Sequence, residues 1–238
     1  LRVVGNSASH GWGTAGSNGA QVEFTADDQA LSGKILVDTI SALNLTLKNG
    51  SSFTGTVNIM ENAEGGTAVN DNAVVTIESG CTWTLTGDCT ITSLTNNGTL
   101  NLNGYTLTGH ITVNDLNHVG RTFTLTDDNT QADYNNKAGN VGTLTAASGT
   151  LVNIKNQSNK PENTTVKLQG VTLTGATRGV YAGSNVNLVA EGSSFSGLTA
   201  TTVNTNGAAI SYGSVGTLVV NKCKFADNRV TANGHAGA

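Results

Sequence analysis

The chain of 238 residues is long enough to bury a large core, and its 30 glycines, single proline and 12% charged residues describe short strands broken by polar turns rather than helices. A net charge of −4, with the basic residues scattered, excludes an electrostatic footprint for nucleic acid. No apolar run approaches the roughly 20 residues that span a bilayer, so these residues are not expected to insert in a membrane directly.

In chain order, residues 1–29, with Trp12 and many glycines, show no coil and are expected to form an irregular segment or cap. Beyond them one phrase recurs: a short alternating strand, a polar residue and glycine, a second short strand, then a closing glycine. Leu43 to Gly55 reads LNLTLKNGSSFTG, Val75 to Gly87 reads VTIESGCTWTLTG, and Thr99 to Gly109 reads TLNLNGYTLTG. Val166 to Gly175, Val186 to Gly197 and Leu218 to Asn228 repeat it. The corners fall at Gly50, Gly80, Gly104, Gly170, Gly192 and Lys222, where glycine gives the left-handed backbone of a sharp turn. Asn221-Lys222 lacks the glycine, so that corner is expected to relax or to place Asn221 in the left-handed conformation.

A period of 22 to 30 residues suits one coil of three strands, and the apolar residues alternate with Thr, Asn or Lys, as in Leu43, Leu45 and Leu47. The expected fold is therefore all-β, a right-handed parallel β-helix over residues 30–238, with Asn ladders between coils and loop insertions near 127–141 and 155–165. A β-sandwich with Asn-Gly hairpins is the structural rival, but it does not call for one phrase repeated in this way. Eight or nine coils stacked at about 4.8 Å give a rod on the order of 40 Å. Cys81, Cys89 and Cys223 fit neither a disulfide framework nor a zinc motif. Cys81 and Cys89 are expected as buried small hydrophobes, a pairing across one coil staying open.

Near the end, Asn206-Gly207-Ala208-Ala209-Ile210, followed by Gly216 to Asn228 with its Phe225-Ala-Asp-Asn228, resembles the repeats of polymorphic outer membrane proteins and related bacterial adhesins. Those repeats pair a GGA-[ILV] phrase with FxxN; GAAI departs at the second glycine. Gly234 to Ala238 resembles the opening of a further copy, cut short, as in a fragment of a longer rod. The resemblance covers residues 205–238. It implies a bacterial cell-surface or extracellular location, a non-enzymatic role in attachment or display, and a host or bacterial surface protein or glycan as partner.

Two other roles stay open: a structural spacer stalk, and a carbohydrate-active enzyme, since parallel β-helices also host polysaccharide lyases and hydrolases, which want clustered carboxylates for calcium and a base. The nearest cluster is Asp127, Asp128, Asp133 and Tyr134, whose spacing lacks the regularity of a calcium loop and suits a solvated turn. Glu162 lies in the second insertion. These five are the candidate contact residues, because insertions on a solenoid often map to the binding face. No catalytic set, metal site or cofactor is expected: His10, His110, His118 and His235 are scattered at the surface. Trp83 and Tyr105 occupy matching repeat positions, where packing outweighs a sugar-stacking role. Thr82, Thr84 and Thr86, and again Thr122, Thr124 and Thr126, alternate as in the flat arrays of ice-binding solenoids. A TxT series is not evident in every coil, so they read as ordinary strand residues.

Overall fold

The computed structural model describes residues 1–6, 13–114, 122–127, 141–155, 164–201, 207–213 and 215–231. The chain is a parallel β-helix: among the described residues 23 short strands, every pairing between them parallel, wind around one apolar core. Strands stack in three faces.

The first face holds β2 (Gln21–Asp27), β4 (Ala42–Lys48), β6 (Ala73–Ile77), the later parts of β8 (Cys89–Asn96) and β10 (Thr106–Val113), then β13 (Thr150–Ile154), β16 (Arg178–Ala182) and β20 (Ile210–Tyr212). The second holds the opening parts of β3 (Ala30–Asp38) and β5 (Ser52–Met60), then β7 (Thr82–Thr84), β9 (Thr99–Asn101), β11 (Thr122–Thr126), β14 (Thr164–Gln169), β17 (Val186–Glu191) and β21 (Leu218–Asn221). The third begins where β1 (Arg2–Val3) lies on the later part of β3, continues through β5, β8 and β10, and ends with β12 (Thr143–Thr145), β15 (Thr172–Thr174), β18 (Ser194–Ser196) and β22 (Lys224–Ala226). Beside it, β19 (Thr199–Ala200) pairs with β23 (Arg229–Val230).

The alternation seen in the sequence sets this arrangement, since every second side chain enters the lumen. On the second face the inward column runs Leu31, Phe53, Trp83, Leu100, Leu125, Leu168, Ala190 and Val220. On the third it runs Cys89, Leu107, Leu144, Leu173, Phe195 and Phe225, with the rings of Phe195 and Phe225 stacked at 5.0 Å. Burying each large side chain contributes on the order of 1.5–3 kcal/mol, so the columns carry most of the stability.

Three expectations change. The β-helix starts earlier than residue 30: Gln21–Asp27 pairs with Ala42–Lys48 over seven rungs, because Val22, Phe24 and Ala26 alternate inward. The six copies of the repeated phrase fall on two different corners. Gly50 and Gly80 turn from the first face to the second, whereas Gly104, Gly170, Gly192 and Lys222 turn from the second to the third. Both corners need the same left-handed turn, so the local chemistry is shared; Gly50, Gly80, Gly104, Gly170 and Gly192 all have positive φ. At the last corner Lys222 itself is left-handed, with φ of 51°.

The third change concerns the side-chain bonds at three corners, where an asparagine amide meets an unlike partner in the preceding coil. The Asn49 amide donates to Asp27, Asn103 to the Leu85 carbonyl and Asn221 to Glu191. Ser51 and Ser193 plug two corners, each hydroxyl accepting a backbone N–H from the preceding coil and donating to carbonyls around it.

Candidate functional site

Coil length is uneven. Rungs of the second-face column are 17 residues apart between Trp83 and Leu100 but 43 apart between Leu125 and Leu168. Both insertions therefore belong to one coil. Residues 128–140 follow Asp127 at the end of β11, and residues 156–163 precede Thr164 at the start of β14. Because β11 and β14 are adjacent, parallel and paired from Thr122↔Thr165 to Thr126↔Gln169, the insertions are attached at opposite ends of the same stretch of the second face. Between the attachment points the outward residues are Thr122, which is exposed, and Thr124, Thr126, Thr165, Lys167 and Gln169, which are partly exposed.

Asp127 was expected in a solvated turn, and it is instead fully buried at the neck of the first insertion. Its Oδ1 accepts the N–H of Gly104 at 2.8 Å and its Oδ2 accepts that of Gly142 at 2.8 Å. The carboxylate thus ties the two stems of the insertion to the coil before it. A Cβ at Gly142 would stand 2.6 Å from that of Leu102, so the stem returns close to the wall. Asp127 shapes the site without presenting itself to a ligand. Asp128, Asp133, Tyr134 and Glu162 lie outside the described residues. The second neck is held by backbone bonds, Lys155 N–H to Val113 at 3.0 Å and Thr164 N–H to Asn185 at 3.2 Å.

Trp83 and Tyr105 do not match in the fold. Trp83 is fully buried on the second-face column, stacked at 5.9 Å on Phe53, with its indole N–H donating to Gly55. Tyr105 follows a second-to-third corner and is half-buried against the core. Cys81 and Cys89 are buried and unbridged, and burial pushes the Cys89 thiol up to about 11. His110 is partly buried, its Nδ1 at 3.1 Å from the Thr150 carbonyl. His10, His118 and His235 lie outside the described residues.

The FxxN phrase has a direct structural use. Phe225 stacks on Phe195, and Asn228 brackets the turn of the coil beneath, donating to the Phe195 carbonyl at 2.9 Å and accepting the Leu198 N–H at 3.2 Å.

One polar cluster escaped the sequence reading. Asp38, buried at the third-to-first corner, accepts the Gly5 N–H at 2.9 Å and the Asn62 amide at 2.6 Å. The Asn72 amide donates to the carbonyls of Asp38, Thr39 and Ser41. Burial pushes the Asp38 carboxyl up, but bonds from Ser41, Gly5, Asn62 and Ile40 outweigh it and hold the group below its ordinary value. The cluster fastens the initial segment and the loop around Asn62 to the first coils. No sequence signal marks it, because its partners come from three separate segments.

Among the described residues no group of three or more His, Cys, Asp or Glu side chains is placed to hold a metal ion. No family model, curated protein or solved structure matches the chain.

Proposed function

We propose that this chain is a rod for attachment or display at a bacterial cell surface, and that its coil with two insertions makes the contact with a protein or glycan partner. The observation that carries the reading is the placement of both insertions in a single coil, attached at opposite ends of one stretch of the second face. A solenoid wall tolerates length at its corners, and insertions grouped around one face bound a surface for recognition. Asp127 strengthens the reading, since a buried carboxylate at the neck holds the stems of one insertion in place. The resemblance of residues 205–238 to adhesin repeats agrees with it.

The test is binding of the purified chain to arrays of glycans and surface proteins, compared with a variant in which residues 129–139 and 156–162 are replaced by short Gly-Ser links. Binding by the parent chain and its loss in the variant is the expected result. Undiminished binding by the variant moves the contact elsewhere, and steady turnover of a polysaccharide overturns the non-enzymatic reading.

A further inference from the structure

The Asn-Gly pair recurs along the sequence, and four of its copies lie among the described residues: Asn18-Gly19, Asn49-Gly50, Asn97-Gly98 and Asn103-Gly104. In such a pair the asparagine side chain is open to attack by the next backbone nitrogen, because glycine has no Cβ to crowd the approach. Three of the four are locked. At Asn103 the side-chain amide donates to the Leu85 carbonyl, the Gly104 N–H is held by Asp127, and a bond from Tyr105 N–H to the Leu102 carbonyl closes the turn. At Asn97 the side-chain oxygen accepts the Asn114 N–H, and the Gly98 N–H lies on Asn96 Oδ1. At Asn49 the amide donates to Asp27 at 2.7 Å, and the Ser51 N–H closes the turn on the Lys48 carbonyl.

Asn18 carries none of these locks. It is exposed, and among the described residues neither its side chain nor the Gly19 N–H makes a hydrogen bond. No turn bond spans the pair, since the Ser17 carbonyl accepts the Asn6 N–H at 2.8 Å and the Ala20 N–H goes to Ser41 Oγ at 3.0 Å. Backbone conformation does not separate Asn18 from Asn49, because both have φ of 53°. The hydrogen bonds do. The flanking residues are nonetheless anchored: Ser17 to Asn6, Ala20 to the first coil, and Gly19 so close to the wall that a Cβ there would overlap the Ile40 carbonyl oxygen. Asn18 is a free link between fixed points.

We propose that Asn18-Gly19 is a site of spontaneous deamidation, and that this modification loosens the initial segment from the first coil. The Gly19 nitrogen, giving its proton to hydroxide, attacks Asn18 Cγ. A C–N bond forms, the side-chain nitrogen leaves as ammonia, and a succinimide ring remains; water then opens the ring at either carbonyl, leaving aspartate or isoaspartate. The nucleophile is already in the same chain, and no hydrogen bond has to break before it is free to react. Isoaspartate routes the backbone through the former side chain and lengthens it between two anchored residues. Ser17 and Ala20 then cannot both keep their present partners, and the Asn6 bond, which lies outside the strand ladders, gives way first. The inference is independent of the attachment reading.

The test incubates the full chain in mildly alkaline buffer, folded and in urea, and follows each Asn-Gly pair by peptide mapping with mass spectrometry. In urea all four pairs should convert together. In the folded chain Asn18 should convert at close to its rate in urea, while Asn49, Asn97 and Asn103 lag by about tenfold or more, the size of one hydrogen bond that must open first. The converted chain should lose hydrogen-exchange protection at Asn6, and Asn18→Gly, which keeps the left-handed link without the reactive side chain, should retain it through the same incubation. Asn18 left intact in a folded chain whose unfolded form converts overturns the inference. So does conversion of Asn97 or Asn103 as fast as that of Asn18. Conversion that leaves Asn6 fully protected overturns the loosening of the initial segment.

Discussion

The coil that contains Trp83 and the coil that contains Leu125 share one column of the lumen and differ in almost everything outside it. The first closes in 17 residues, with its corners tightly drawn; the second takes 43 and carries both insertions. Yet the rungs above and below are paired in the same parallel register. The lesson is that inward side chains and ladder bonds set the height of each coil, and the corners absorb whatever length is supplied. The wall is constant while the length of each coil varies.

The sharpest way to break the comparison is to empty the column in each coil. Trp83→Ala removes the stack on Phe53 and the indole bond to Gly55, and should cost about 3–5 kcal/mol in denaturant unfolding. Leu125→Ala, in the coil with more slack, should fall near the lower end of about 2–5 kcal/mol. Equal losses would show that the short coil is no tighter than the long one. Next, Asp127→Ala leaves the buried N–H groups of Gly104 and Gly142 without their acceptor and should cost about 3 kcal/mol, with Asp127→Asn losing less because one acceptor remains. The same substitution should weaken partner binding measured by surface plasmon resonance, since the neck is no longer fixed.

At the start of the rod, Asp38 adds a pH term. Its carboxyl is depressed in the folded chain, so the stabilisation is present above the ordinary carboxylate value and is lost as pH falls through the lower folded value. Hydrogen exchange followed from about pH 5 to about pH 2 should show protection lost around Gly5 and Asn62 on the acid side, and Asp38→Asn should flatten that dependence. Smaller still is Lys222→Gly, which relieves a left-handed non-glycine residue and should raise stability by about 1 kcal/mol in thermal melts. Halving the longer insertion should change stability least, by about 0.6 kcal/mol, and so separate the wall from what it carries.

The alternation of Leu43, Leu45 and Leu47 and the glycine corners made the β-helix legible, because both are local requirements of a strand and a sharp turn. Phe225 and Asn228 stood out as a phrase, but their contacts with Phe195 and Leu198 did not. Register was not. Gly80 and Gly104 look equivalent in the chain yet occupy different corners, since a left-handed turn looks the same wherever it is used. Asp127 reads as solvated beside Asp128 and Asn129, and only Gly104 and Gly142, remote along the chain, bury it. Burial set by contacts between coils leaves no mark in a single stretch of sequence.

The uneven coils also have a mechanical consequence. The ladder bonds of a β-helix point along the rod, so a force that separates its two ends opens the bonds of one coil before those of the next. Each coil that peels away then releases its own contour length, about 145 Å for the 43-residue coil and about 58 Å for the 17-residue one. Under tension the rod would lengthen in steps of unequal size, yielding at its ends while the coils between them still hold their shape.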